Sequence, residues 1–324
     1  MKKIYLLFLL AVLPLVTSAQ VEINGIYYNL ESYNHTATVT SHSYCHYSGR
    51  IIIPANITYN GATYKVTSID SRAFYFEDVT SVSIGSNVKY IGSEAFYLCE
   101  SLTSVTIGNS VTDIDYGAFN RCTGLKKVTI PSSVKYIGDE AFRNCSALTS
   151  VTIGKNVTYI GSRAFYDCRV LESVIIPDSV KSIGDYTFWN CRNLTSATIG
   201  ESVKSIGYRA FQYCSSLETV TIPNSVYSIG DEAFIGCSSL TSVTIGNGVT
   251  YIGDSAFEGC KGIESFVIGN GVRSLGNRSF YQCSNLESLT IPNSVESIGK
   301  SAFYNCSSMT SISIGNGKKI LKKK

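Results

Sequence analysis

Residues Ser238–Cys260 read SSLTSVTIGNGVTYIGDSAFEGC, and copies of these 23 residues recur from near residue 67 almost to the C-terminus. A short fixed period is typical of a solenoid, in which each copy forms one coil and buries its apolar side chains against the next. The 324 residues are 44% hydrophobic and 16% charged, a composition that excludes a disordered chain. We therefore expect one elongated, packed repeat domain.

Each copy divides into two extended segments and one compact corner. Alternating apolar residues predict the extended segments, and glycines such as Gly246 and Gly253 mark turns after them. Asp254 is placed as the N-cap of a single helical turn at the corner. The positions expected to face inward are Leu240, Val243, Ile245, Val249, Ile252, Ala256, Phe257 and Cys260.

Two residue types recur at fixed positions of the corner. Stacked coils would align an internal aromatic column, formed by Phe74, Phe96, Phe119, Phe142, Phe165, Phe188, Phe211, Phe234, Phe257, Phe280 and Phe303. Cysteines recur at intervals of 23 as Cys99, Cys122, Cys145, Cys168, Cys191, Cys214, Cys237, Cys260, Cys283 and Cys306. We expect a ladder of buried thiols, because side chains that point the same way are poorly aimed for a disulfide; some paired bridges are the alternative.

The segments outside the repeats differ in composition. Residues 1–19 combine a basic start, an apolar stretch and small residues, which is typical of a secretory signal peptide. Residues 20–66 alternate apolar and polar residues between glycine-containing turns and predict a small antiparallel β cap. A solenoid of about eleven coils is expected over 67–315. A basic tail over 316–324 starts a further coil and then stops.

Charge and residue types exclude several functions. The chain holds 27 basic and 24 acidic residues, but lysines of the leader and tail leave the body slightly acidic, which argues against nucleic-acid binding. No apolar run after the leader is long enough to span a membrane. His35, His42 and His46 lie near Cys45 in a spacing that matches no zinc pattern. No catalytic triad, acid/base carboxylate pair or phosphate loop can be assembled, so we expect no enzyme, cofactor or metal site.

The repeat resembles the BspA-like leucine-rich repeat family in the motifs L-x-x-V-x-I of Leu240–Ile245 and I-G-x-x-A-F-x-x-C of Ile252–Cys260. The match covers about residues 67 to 315. The expected fold class is a mainly β repeat solenoid of leucine-rich-repeat type, with two short extended segments and one helical turn per 23-residue coil.

The resemblance also implies a bacterial protein that is secreted or displayed at the cell surface, with a periplasmic location left open. It further implies adhesion, or the binding of an extracellular or host protein or a glycan, by a non-enzymatic chain. A secreted or periplasmic spacer without a dedicated ligand is the alternative. The sequence does not indicate the oligomeric state.

Two outward columns are candidate binding faces. The first lies on the longer strand and is rich in hydroxyl groups, which would suit a polar partner, although Thr and Ser also simply suit exposed parallel strands. Its residues are Thr106, Thr129, Thr152, Thr198, Thr221, Thr244, Ser150, Ser196, Glu172 and Glu218. The second pairs cations with phenols, which could hold sulfated or sialylated glycans or could merely prevent edge association. Its residues are Lys89, Tyr90, Lys135, Tyr136, Lys181, Lys204 and Arg273.

A third candidate is a column of aromatic residues on the corner, directly after the buried phenylalanines. Its members are Tyr97, Tyr166, Trp189, Tyr281 and Tyr304. Aromatic residues at a surface can mark an interaction patch. Polar residues such as Arg143 and Gln212 interrupt the column, which favours partial packing between coils.

Overall fold

The computed structural model describes residues 19–42, 46–315 and 318–320. The expected signal peptide lies outside the described residues apart from Ala19, and it stays a prediction. Cys45 and the last four residues of the basic tail also lie outside them.

The described residues form strands, turns and bends, and they contain no helix. The strands are β1 (Ala19–Ile23), β2 (Ile26–Glu31), β3 (Thr36–Val39), β4 (Ser48–Ile53), β5 (Asn56–Tyr59), β6 (Ala62–Ile69), β7 (Asp78–Ile84), β8 (Tyr90–Ile91), β9 (Ser104–Thr106), β10 (Asp113–Ile114), β11 (Lys127–Thr129), β12 (Tyr136–Ile137), β13 (Ser150–Thr152), β14 (Tyr159–Ile160), β15 (Ser173–Ile175), β16 (Ser182–Ile183), β17 (Ser196–Thr198), β18 (Ser205–Ile206), β19 (Thr219–Ile222), β20 (Ser228–Ile229), β21 (Ser242–Ile245), β22 (Tyr251–Ile252), β23 (Ser265–Val267), β24 (Ser274–Leu275), β25 (Ser288–Ile291), β26 (Ser297–Ile298), β27 (Ser311–Ile314) and β28 (Lys318–Ile320).

Two long sheets run along a solenoid of about eleven turns, so the expected β solenoid is confirmed. The longer strand of every coil enters one sheet, with the order β4-β7-β9-β11 and onward through the odd-numbered strands to β27; we call it the broad sheet. The other sheet begins with β1, β2, β3 and β6, to which β5 also pairs, and continues through the two-residue strands from β8 to β26; we call it the narrow sheet. Neighbouring strands of the repeats are parallel and pair residues 23 positions apart, as Val220 pairs with Val243.

Antiparallel pairing is found at the two ends of the described chain. At the start, β1, β2 and β3 form a meander, and β5 pairs with β6. The strand β4 already pairs in parallel with β7, so stacking begins inside the segment 20–66. At the other end, the sequence predicted that the tail starts a further coil, and this prediction is wrong. The chain reverses at Gly315, whose φ is 56°, and β28 pairs antiparallel with β27. This pairing covers the last edge of the broad sheet.

The predicted helical turn at the corner is wrong. Alternate N–H groups bond within the corner, as Ala95 N to Gly92 O at 3.1 Å, while the others bond to the next coil, as Phe96 N to Ala118 O at 2.7 Å. This alternation requires left-handed backbone at two positions per corner, such as Glu94 with φ 55°. A helix would direct every N–H along its own turn and leave the coil-to-coil bonds unmade. The corner is therefore a stack of turns.

The aspartate that was expected to cap this helix forms hydrogen bonds between coils instead. Asp254 Oδ1 accepts a hydrogen bond from the backbone N–H of Asn277 in the following coil at 2.7 Å. The N–H of Asp254 in turn donates to Oδ1 of Asp231 in the preceding coil at 2.8 Å. Each carboxylate thus accepts a hydrogen bond from one backbone N–H of the next coil. An N-cap side chain accepts a similar bond, but from within its own helix.

The phenylalanine column is confirmed as the centre of the core. Its rings lie parallel within 17°, with centroids 4.9 to 5.6 Å apart from Phe74 to Phe303. All are fully buried except Phe303 in the last coil, which is half-buried. Offset parallel rings at this spacing gain both apolar burial and favourable quadrupole contacts.

The buried thiol ladder is also confirmed. All ten repeat cysteines are buried and free, so the alternative of paired bridges among them is wrong. Each sulfur lies close to the carbonyl oxygen of the phenylalanine in the preceding coil, as Cys191 Sγ lies 3.3 Å from Phe165 O. The thiol therefore donates a weak hydrogen bond and fills a small apolar site.

Replacing a central ring should destabilise the stack. We expect Phe188→Ala to lower the free energy of unfolding by about 3–5 kcal/mol, because its neighbours at 5.5 and 5.2 Å cannot both close the gap. Urea and thermal unfolding measure this change. The exposed Thr198→Ala serves as the control and should stay within about 0.5 kcal/mol. Equal unfolding midpoints for the two variants would contradict a stabilising role of the ring column.

Alkaline pH should unfold the chain through its thiols. Burial raises the pKa of the Cys99 thiol to about 12 and raises those of eight further repeat cysteines. The unfolded chain releases these protons above about pH 8.5, whereas the folded chain retains them. Stability is therefore complete below about pH 8.5 and falls above it by about 1.4 kcal/mol per thiol per pH unit.

The measurement is urea unfolding under reducing conditions at neutral and alkaline pH. Cys191→Ala should make the pH dependence less steep by the share of one thiol. A midpoint that does not change between about pH 7.5 and pH 10 would show that the thiols do not control alkaline stability.

Candidate ligand-binding surfaces

The hydroxyl face lies on the outside of the broad sheet. The register places Thr198, Thr221 and Thr244 side by side on successive strands, and Ser150 reaches Ser196 through Ser173. All ten residues predicted for this face are exposed, namely Thr106, Thr129, Thr152, Thr198, Thr221, Thr244, Ser150, Ser196, Glu172 and Glu218. The structure therefore brings them together on one continuous surface.

Two features of the hydroxyl face were not predicted. Its threonine column is interrupted by Ile175 and Val267, which are 68% and 72% exposed. Beside this column, Thr149, Thr195 and Thr241 donate their hydroxyl protons to main-chain carbonyl oxygens of the preceding coil at 3.0 to 3.1 Å. Those three hydroxyls therefore stabilise the stack, while the column of Thr198 leaves its hydroxyls open to solvent.

The basic residues lie at the start of the narrow-sheet strands. Lys89, Lys135, Lys181, Lys204 and Arg273 are exposed, as is Tyr90, while Tyr136 is half-buried. Thr112 separates Lys89 from Lys135, because the lysines occupy alternate coils there. Arg273 forms an ion pair with Glu296, with Nη1 and Oε1 2.8 Å apart. The column is therefore less continuously basic than the sequence alone indicated.

Two tyrosines of the narrow sheet, Tyr90 and Tyr159, form hydrogen bonds with carboxylates. The Tyr90 hydroxyl donates to Asp115 Oδ2, and burial together with this bond raises the pKa of Tyr90 to about 12. Tyr136 stacks on Tyr159 at 4.9 Å, and the Tyr159 hydroxyl donates to Asp139 Oδ1 at 3.3 Å. Carboxylates thus lie beside these tyrosines, and their negative charge reduces the attraction of this face for a polyanion.

The aromatic residues of the corner pack between coils, as the interrupted column indicated. Tyr166 stacks on Trp189 with centroids 4.4 Å apart, and Tyr281 stacks on Tyr304 at 5.7 Å. Around Trp189 the corner surface opens into a groove of about 590 Å³. We call it the corner groove; its walls include Arg143, Arg163, Tyr166, Tyr186, Trp189 and Tyr213.

A connected set of hydrogen bonds fixes the floor of the corner groove. Trp189 Nε1 donates to Gln212 Oε1 at 2.7 Å, and Gln212 Nε2 donates to Glu232 Oε2 at 3.3 Å. Glu232 accepts two bonds from the guanidinium of Arg209, both at 3.0 Å. This bond to Glu232 raises the pKa of Arg209 above its usual value. The groove is therefore held in one arrangement before any ligand arrives.

Sequence reasoning missed the corner groove as a site. Its parts come from copies 23 residues apart, and no copy supplies more than three of the residues that line the groove. The available clue was Trp189, the one tryptophan of the sequence, between neighbouring copies that carry Arg163 and Arg209.

Two histidines of the first segment, His42 and His46, contact different side chains. His42 stacks on Tyr27 with centroids 4.1 Å apart, and His46 Nδ1 lies 3.2 Å from Glu77 Oε2. Within residues 19–42, 46–315 and 318–320, no cluster of His, Cys, Asp or Glu is arranged to hold a metal ion. The same residues contain no helix that could cross a membrane.

Comparison with known proteins decides the family. A family model for the BspA type leucine rich repeat region matches in six copies, over residues 67–195, 137–260 and 204–324. The chain belongs to this family. The expected resemblance is thereby confirmed. BspA-type repeat proteins are typically bacterial surface proteins.

Solved structures are similar along most of the chain. A leucine rich cell surface protein from Faecalibacterium prausnitzii is 31% identical, with 93% of this chain and 96% of that chain covered and a TM-score of 0.49. The T. pallidum leucine rich repeat protein is 28% identical over 61% of this chain and 91% of its own, with a TM-score of 0.54. The pneumococcal vaccine antigen PcpA is 20% identical over 95% and 90%, with a TM-score of 0.54, and shows the fold alone. No curated protein sequence matched.

The hydrogen bonds under Trp189 can be tested in this BspA-type chain. Gln212 is 4% exposed, so Gln212→Ala removes the acceptor of the indole N–H at a buried position. We expect a loss of about 1–3 kcal/mol in the free energy of unfolding and a shift of the Trp189 emission. The exposed Gln282→Ala is the matched control on the same corner. If both variants emit and unfold alike, the network does not fix the indole.

Proposed function

We propose that this BspA-type protein is exported, is not an enzyme, and binds an extracellular protein or glycan through a repetitive face of its solenoid. The observation that carries the proposal is the outer surface of the broad sheet. There the hydroxyl face continues over successive parallel strands in one register, and its residues are exposed. A flat periodic array of hydroxyl groups offers many equivalent hydrogen bonds to an extended polar partner.

The comparisons support an extracellular setting for such binding. The family shown by the repeat model is typical of bacterial surface proteins. A repeat scaffold places its variation on outward columns while the inward positions remain apolar, as the burial of Val220 and Val243 beside exposed Thr221 and Thr244 illustrates. Binding by the outward residues therefore need not disturb the core.

A spacer without a dedicated ligand is the second candidate. It is favoured by three threonines whose hydroxyl groups donate hydrogen bonds to the preceding coil, namely Thr149, Thr195 and Thr241. Such residues would be retained for stability alone.

Arrays of glycans and of matrix proteins test the proposal. We expect the purified protein to show reproducible, saturable binding to at least one of them. Thr198→Gln, Thr221→Gln and Thr244→Gln together should abolish that binding, because the larger side chains cover the array without adding charge. The matched control replaces Lys135 and Lys181 by Gln on the narrow sheet. Absence of saturable binding would favour the spacer; loss in the control alone would move the binding to the basic face.

A further inference from the structure

The corner groove is where neighbouring copies depart most from one another. Glu140, Arg163, Tyr186, Arg209 and Glu232 succeed one another at a single position of the repeat, 23 residues apart. All have left-handed backbone, with φ between 54° and 59°, so their side chains leave the corner in the same direction. A line of charged and phenolic groups thus forms one wall of the groove.

Space for the Tyr213 ring depends on Gly236 in the following coil. A Cβ added to Gly236 would lie 2.7 Å from the Tyr213 ring, so glycine there lets that ring lie over the next turn. Tyr213 meets the indole of Trp189 edge-on with centroids 6.0 Å apart. The other wall of the groove is therefore aromatic.

The arginines of the groove differ in their partners. Arg143 Nη1 lies 3.0 Å from Glu140 Oε2, and Arg209 holds Glu232 with two hydrogen bonds. Arg163 has no carboxylate within ion-pair distance among the described residues, and its guanidinium lies over the Tyr186 ring at 4.9 Å. The groove therefore carries one uncompensated positive charge, fixed in place by an aromatic face.

The exposed chemistry suits a small polar ligand. Arg163 and Arg209 lie over Tyr186 from the two neighbouring coils, at 4.9 and 5.7 Å, which leaves ring edges, hydroxyl groups and guanidinium N–H donors for a ligand. A volume of about 590 Å³ lies within the range of small-molecule sites. Hydroxyl-rich rings with one anionic group match both the size and the single unpaired cation.

We propose that the corner groove binds a sugar that carries one anionic group, a carboxylate or a sulfate ester, and that Arg163 recognises this group. The anion would accept paired N–H bonds from the guanidinium, as carboxylates do from arginine generally. Neighbouring phenols and the fixed indole would contact the sugar ring. The site goes beyond the proposed function, because it lies on the corner rather than on the broad sheet.

Direct titration of the purified protein tests the site. The probes are 3′-sialyllactose, 3′-sulfolactose and lactose, followed by calorimetry and by the emission of Trp189. We expect saturable binding of at least one acidic sugar and at least tenfold weaker binding of lactose. Arg163→Gln should weaken binding of the acidic sugar by about 10- to 100-fold, because charge-assisted bonds are lost. Arg163→Lys should weaken it less, since the charge remains and the paired geometry is lost.

Arg278→Gln is the matched control. Arg278 occupies the same repeat position with φ 54°, but it pairs with Glu258 at 2.9 Å and lies outside the groove. The chain already places glutamine at φ 59° as Gln282, so the substitution suits this backbone. Urea unfolding of each variant verifies that it is folded.

Three results would overturn the site: no binding of either acidic sugar at millimolar concentration, equal affinity for lactose, or equal losses in the Arg163 and Arg278 variants. Binding of one acidic sugar but not the other supports the site and identifies the anionic group. These results are separable from the broader proposal. Saturable array binding that requires the broad-sheet threonines but not Arg163 would keep the proposed function and reject the groove.

Discussion

Backbone hydrogen bonds between neighbouring coils are the constraint on which this structure depends. They run through the broad sheet, the narrow sheet and the corner, and each joins residues 23 or close to 23 positions apart. Because buried backbone groups must be paired, every coil relies on the next to satisfy its N–H and carbonyl groups. The aspartate side chains and the thiols also form hydrogen bonds between neighbouring coils. Stability is therefore a sum over interfaces rather than a property of one core.

The same constraint explains where sequence reasoning succeeded and where it failed. The period of 23 predicted the stacking, the phenylalanine column and the free thiols, because a residue that faces inward in one copy faces inward at the same position of every copy. The corner was misread, since the spacing of Ala256, Phe257 and Cys260 is also that of a helical turn. Local pattern could not show that half of the N–H groups bond along the solenoid axis. The reversal at Gly315 depended likewise on a pairing with β27 that no repeat displays.

Candidate surfaces were predictable to a similar degree. Exposure of the broad-sheet threonines followed from strand alternation, and the structure places them as expected. The hydrogen-bond partners of the narrow-sheet tyrosines could not be predicted, because the carboxylates beside Tyr90 and Tyr159 come from other copies. The corner groove is an extreme case: its contacts are stacked rings and guanidinium groups from successive copies, and no single copy contains the site.

The left-handed positions of the corner have an evolutionary consequence. An L-residue there gives up about 1–2 kcal/mol relative to its preferred backbone, and the charge or bulk of the side chain hardly alters that cost. Arginine, glutamate, tyrosine, serine and glycine all occupy the position of Arg163 in one copy or another. Mutation can therefore exchange these side chains while the ring column and the register stay in place. The corner can therefore carry different side-chain chemistry in different copies of the repeat without a change of fold.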